Sequence, residues 1–154
     1  MNIKIRKALK KDSQDVIRLI NELAEFEKLD PPDKSAAKNL IKDIYSKNSP
    51  IKVLVAESGK ELIGYTFYFF TYSTFLAKKT LYLEDIYISN KYRSKGFGKI
   101  FFNELVKAAK KNKCGRMEWH VLDWNVNAIK FYEKLGAKEL KEWKYFRINL
   151  MNNY

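Results

Sequence analysis

Two stretches of this chain carry residues whose types and spacing could do chemistry. The first is Arg93-Ser-Lys-Gly-Phe-Gly98, which follows an alternating apolar run and precedes an amphipathic one, the order of strand, glycine-bearing loop and helix. A loop in that place aims successive backbone N–H groups and the positive end of a helix dipole at one point, which suits a phosphate or pyrophosphate. Gly96 and Gly98 carry no Cβ to hold such a ligand off the backbone. The second stretch is the acidic pair Glu84-Asp85, on the strand just before that loop. Strict alternation puts Glu84 on the face of Tyr82, Ile86 and Ile88, where a carboxylate is costly without a partner. Either one of the 30 Lys and Arg residues neutralises it at a sheet edge, or it receives an ammonium ligand, with Asp85 and Glu27 adding negative field.

The 154 residues are enough for a single domain, 1–154, with its own core. Thirty Lys and Arg against 18 Asp and Glu leave a net charge of +12. A surface this basic suits an anionic partner such as a phosphorylated cofactor, nucleic acid or an acidic protein. The lysines are spread over Lys7–Lys11, Lys78-Lys79 and Lys107–Lys113, which reads equally as a solvated face and not as a nucleic-acid stripe. One cysteine, Cys114, excludes an intrachain disulfide and a four-thiolate metal site, and its place just ahead of a strand points to packing. No metal is expected. With no apolar signal core at the start and no run near ~18 apolar residues, no membrane partner is expected and the expected location is the cytoplasm.

Several elements must position the candidate residues. Ile3–Arg6 alternates as a short strand, and Asp12 is placed to cap a helix with Val16, Ile17, Leu19, Ile20, Leu23 and Ala24 on its apolar face and Phe26 and Glu27 at its end. Pro31-Pro32 breaks the chain, and Asp33 or Ser35 starts a second helix carrying Leu40, Ile41 and Ile44. Lys52–Glu57 and Leu62–Thr71 form a hairpin across Ser58-Gly59-Lys60, and Leu81–Ser89 is the next strand. After the loop comes a helix burying Phe101, Phe102, Leu105, Val106 and Ala109. Arg116–Leu122 reads as a strand, Asn125–Leu135 as a helix ended by Gly136, and Ala137–Leu140 and Lys144–Leu150 as closing strands. The order β α α β β β α β α β β implies an α/β (α+β) domain, a mixed sheet with helices on its faces.

Beginning 26 residues after Gly98 is Trp124-Asn-Val-Asn-Ala-Ile-Lys-Phe-Tyr-Glu-Lys-Leu-Gly-Ala137. With Arg93–Gly98 and the element order, it resembles the Gcn5-related N-acetyltransferase family over nearly the whole chain. Within that family the likeness is to the diamine (spermidine/spermine) and thialysine acetyltransferases, carried by Glu22-Leu-Ala-Glu-Phe-Glu27, Tyr68-Phe-Phe-Thr-Tyr72, Leu81-Tyr-Leu-Glu-Asp85 and Trp124-Asn125. The resemblance implies the acyl-CoA N-acyltransferase fold and an enzyme that takes acetyl from acetyl-CoA. It implies that Ile86, Tyr87 and Ile88 read the pantetheine arm through backbone groups. Arg93, Ser94, Lys95, Gly96, Phe97, Gly98 and Lys99 would hold the pyrophosphate, and Asn125, Asn127 and Ala128 would flank the pantetheine and acetyl end. Tyr132 would lie near the thioester sulfur and Glu84 near the incoming amine. Phe26, Glu27, Asp85, Glu118, Trp119 and His120 would line the amine site. The short segment between Gly136 and Trp143 and the Val126-Asn127 pair depart from the family pattern, which bears on amine length.

Magnitudes limit these roles. A carboxylate near ~4.3 facing an alkylammonium near ~10.4 leaves roughly 6 pKa units, about 8 kcal/mol, against direct proton removal. Glu84 is therefore expected to hold the amine and take its proton through water. Tyr132 either packs beside Phe131 or donates to the departing thiolate, a mismatch of about 2 kcal/mol for full transfer. The expected reaction is direct attack of a polyamine or lysine-like amine in a ternary complex. A protein α- or ε-amine as acceptor, and a basic nucleic-acid-binding module without turnover, are the other readings. The apolar ending Trp143–Leu150 is expected to serve a homodimer.

Overall fold

The computed structural model describes residues 3–150. Strands β1 (Lys4–Lys7), β2 (Lys52–Ser58), β3 (Glu61–Ser73), β4 (Lys78–Ile88) and β5 (Arg116–Trp119) lie in that order in one sheet. The first four pair antiparallel, and β5 joins β4 in parallel after a helical crossover. Gly59, at φ +63°, makes the tight turn from β2 to β3. β3 is buried from Leu62 to Tyr68 without alternation, as a strand covered on both faces must be. On one face α1 (Ser13–Glu27) sets Val16 and Leu19 against Val53, Val55, Tyr65, Phe67 and Tyr87. On the other, α3 (Phe97–Lys111) sets Phe97 and Phe101 against Ala56, Ile63 and Ile88. Each such side chain contributes about 1.5–3 kcal/mol on burial.

Helix ends follow the sequence with one exception. Asp33 caps α2 (Lys34–Ile44), its carboxylate accepting from Ala36 N–H at 2.8 Å. Asp12 does not cap α1. Its carboxylate is turned back to Arg6 (2.6 Å) and Leu9 N–H (2.7 Å), because burial of an aspartate demands the charged partner that Arg6 supplies. Arg6 also reaches Glu57 at 2.6 Å and so ties β1, β2 and the start of α1 together.

A first compact unit ends at His120 and a second begins at Val121. The second holds α4 (Val126–Lys134), with Asn125 as its cap. The strand expected over Arg116–Leu122 stops at Trp119. Ala137–Leu140 and Lys144–Leu150 are irregular among the described residues, not strands. An alternating apolar segment becomes a strand only where a ladder takes its backbone, and none includes this one; Trp143, Phe146, Ile148 and Leu150 stand exposed. No helix of the described residues is long and apolar enough to cross a membrane.

Candidate active site

The sheet forks beside the glycine loop. β5 pairs with β4 from Thr80 to Leu83 and ends, while β4 runs on to Ile88. Among the described residues no ladder covers that edge of β4 from Glu84 onward. An extended amide-bearing molecule laid there could bond to Ile86, Tyr87 and Ile88 as an added strand would. Just past the strand, Ser89 N–H returns to Ile63 O at 2.9 Å, and a turn over Asn90–Tyr92 leads into the loop. Ser94 and Gly96 take left-handed φ of +60° and +80°. A Cβ on Gly96 would meet nothing within 4 Å, so backbone conformation and not space requires glycine there. Phe97 then opens α3, whose leading N–H groups have no intrahelical acceptor and, with the positive end of the dipole, suit an anion. Lys95 lies over the Tyr92 ring (5.4 Å), and Lys91 pairs with Glu61 (2.7 Å).

A β-bulge corrects the alternation expected for the acidic pair. Phe67 faces Asp85 and Tyr68 faces Leu83, so Glu84 is the extra residue. Beyond the bulge the faces exchange. Asp85 and Tyr87 lie on the α1 face opposite Phe67 and Tyr65, and Glu84 is exposed and does not share a regular face with Tyr82, Ile86 and Ile88. The inward carboxylate is Asp85. Tyr65 donates its hydroxyl to Asp85 at 3.4 Å, and Thr66 Oγ1 donates to the Asp85 carbonyl at 2.7 Å. Burial, then the charges of Glu84 and Glu27, push the Asp85 carboxyl up to about 6. Burial raises the Glu27 carboxyl too. Tyr65, which no sequence signal singles out, is fully buried within the unbroken buried run of β3, and its phenol is driven well up by burial and by Asp85.

The expected lining residues divide between the two faces. Phe26 joins Arg93, whose guanidinium lies 4.4 Å from the Phe26 ring centre and 5.1 Å from that of Tyr87, while its Nε donates to Ile88 O at 2.9 Å. Tyr87 donates its hydroxyl to Glu22 (3.3 Å), itself held by Arg18 (2.5 Å). Tyr82 stacks on Phe69 (5.0 Å), and its hydroxyl shares a hydrogen bond with His120 Nδ1. Glu118, opposite Tyr82 in register, pairs with Arg116 at 2.8 Å. Trp119 instead packs edge-on against Phe102 of α3 (5.5 Å), on the side away from Asp85. In the second unit Asn125 Oδ1 accepts from Ala128 N–H at 3.2 Å, Asn127 lies in the first turn of α4, and the half-buried Tyr132 ring tilts against Phe131 (5.3 Å). Burial raises the Cys114 thiol, which disfavours the thiolate an acyl carrier needs.

Comparison with known proteins decides what this architecture is. The model of the acetyltransferase (GNAT) family matches residues 14–137. The chain belongs to that family. A thialysine N-epsilon-acetyltransferase of Mus musculus is 37% identical over 155 residues, covering 94% of this chain and 91% of the relative. An L-ornithine N5-acetyltransferase of Arabidopsis thaliana is 49% identical over 85 residues, 55% of this chain and 37% of that protein. A solved structure described as a possible acetyltransferase from Clostridium difficile 630 superposes with a TM-score of 0.83 over 97% of this chain and 98% of its own, at 21% identity, and speaks for the fold alone. This chain is an acetyltransferase, and its forked sheet, glycine loop and half-buried carboxylate belong to an acetyltransferase of the GNAT family.

Proposed function

We propose that this acetyltransferase moves acetyl from acetyl-CoA to the primary amine of a small polyamine or lysine-like acceptor, by direct attack in a ternary complex. The observation that carries the reading is the bulge at Glu84, which turns Asp85 inward beside Tyr65 with Glu27 in range. Three carboxylates at one place suit an ammonium group. At about 6, Asp85 also narrows the proton gap to an alkylammonium from roughly 6 units to roughly 4, about 5 kcal/mol. Asp85 holds the amine and takes its proton through water, and Glu84 acts at the rim by raising Asp85. The amine nitrogen attacks the thioester carbonyl and the C–S bond breaks; the family likeness gives Tyr132 the part of donating a hydrogen bond to the departing thiolate. Ile86–Ile88 and the loop Arg93–Lys99 take the pantetheine and pyrophosphate of acetyl-CoA, and the family likeness gives Asn125, Asn127 and Ala128 its acetyl end.

A thiol-release assay with acetyl-CoA and a panel of spermidine, spermine, thialysine, lysine, ornithine and N-terminal peptides tests this. Turnover of the small amines supports it, and turnover of peptides alone, or of none, overturns it. The working form in this reading is a homodimer, supported by the exposed Trp143, Tyr145, Phe146 and Ile148. Sedimentation at assay concentration is expected to give twice the chain mass, and a monomer contradicts it.

A further inference from the structure

Arg93 opens the glycine loop, yet its side chain turns back over the strand that the chain has just left. Its Nε donates to Ile88 O at 2.9 Å, and its guanidinium donates to the Tyr87 hydroxyl. The same guanidinium lies 4.4 Å from the Phe26 ring centre and 5.1 Å from that of Tyr87. The Tyr87 hydroxyl in turn donates to Glu22 Oε2 at 3.3 Å, and Arg18 holds the other Glu22 oxygen at 2.5 Å. Arg18 is itself tied to the sheet through Leu62 O at 2.9 Å. A chain of hydrogen bonds therefore runs from α1 through Tyr87 to the first residue of the loop. A phenol that accepts from a guanidinium and donates to a carboxylate has charged partners on both sides, and such bonds are the stronger kind. The loop needs holding: Ser94, the next residue, takes a left-handed φ of +60° without being glycine, a conformation that persists only where the surroundings impose it.

We infer that the Tyr87 side chain and Glu22 are positioning residues for the pyrophosphate of acetyl-CoA, acting through Arg93. This rests on the acetyl-transfer reading above. The Arg93 side chain anchors the start of the loop, and the backbone N–H groups that follow it take the diphosphate. A loop already held in its binding shape loses less freedom when the ligand arrives, so the anchor appears as affinity. The effect belongs to the part of the donor that the loop touches, since the pantetheine arm is read by the backbone of β4.

The test removes the hydroxyl alone. In Tyr87→Phe, which keeps the ring beneath the guanidinium, the CoA Kd read by calorimetry is expected to rise about 10-fold. Glu22→Gln keeps an acceptor for the phenol, and its Kd is expected to rise only about 3-fold. With acetyl-CoA as donor, kcat/KM is expected to fall by similar factors. With S-acetyl-pantetheine, which has no pyrophosphate, it is expected to fall far less, a split that general loosening of the sheet would not give. The double variant Tyr87→Phe with Arg93→Gln is expected to bind CoA no more weakly than Arg93→Gln alone, because the hydroxyl works through that side chain. An unchanged CoA Kd in Tyr87→Phe, equal losses with the two donors, or losses that add in the double variant would each overturn the inference while leaving acetyl transfer standing. Wild type that binds CoA but acetylates no amine rejects the transfer reading instead, and the CoA titrations still decide this one.

Discussion

Asp85 is costly to the fold as a charged group. Its carboxyl sits at about 6 against an ordinary 3.8, so the folded chain holds that proton more tightly than the unfolded one. Stability from this group is therefore greatest at low pH and is lost as pH rises from about 4 through about 6. Asp85→Asn, which keeps the shape without the charge, is expected to raise the unfolding free energy at pH 8 by about 1–3 kcal/mol in urea titrations, while lowering kcat/KM about 100-fold or more. A variant less stable than wild type at pH 8 would mean that the carboxylate is structural. The same group gives kcat/KM an acid limb near pH 6, rising as Asp85 ionises. Removing the neighbouring charge in Glu84→Gln favours ionisation of Asp85, so the limb is expected to move to lower pH. An unmoved limb, or one moved upward, would separate the two residues.

At the scale of elements, the end of β4 is where the site is made or lost. Gly64 pairs with Ile88, and a Cβ there would lie 2.5 Å from the Tyr87 carbonyl oxygen. Since that atom is backbone, β4 would have to shift. Gly64→Ala is expected to cost about 1–3 kcal/mol and to raise KM for acetyl-CoA, measured by thermal unfolding and initial rates. An unchanged Tm and KM would show that β4 can move freely. Much of this architecture was legible. The helices, the hairpin of β2 and β3 and the glycine loop announce themselves through periodicity, Asp33, Gly59 and Gly96. The bulge at Glu84 was not, because alternation counted along β4 alone gives no sign that Glu84 has no partner on β3. The sequence therefore pointed to the acidic pair but assigned the inward position to the wrong member. Asp12 was misread for a related reason: a helix-capping residue type was also a carboxylate that Arg6 holds. Tyr65 lies within an unbroken buried run, where its hydroxyl leaves no periodic trace.

Over the whole molecule, a net charge of +12 coexists with the acidic acceptor site proposed above. Screening confines surface charge to about 8–10 Å, so the local cluster of Glu27, Glu84 and Asp85 governs a small amine while the basic surface suits an anionic acyl donor. Both reactants are to be held at one forked sheet, which makes direct transfer the central claim. The raised Cys114 thiol offers no ready carrier for an acyl-enzyme. The most direct test is initial-rate kinetics with acetyl-CoA and the best amine of the panel both varied. Intersecting double-reciprocal lines and no acetylated enzyme are the expected result; parallel lines, with a protein-bound acetyl group trapped before the amine is added, would contradict the account.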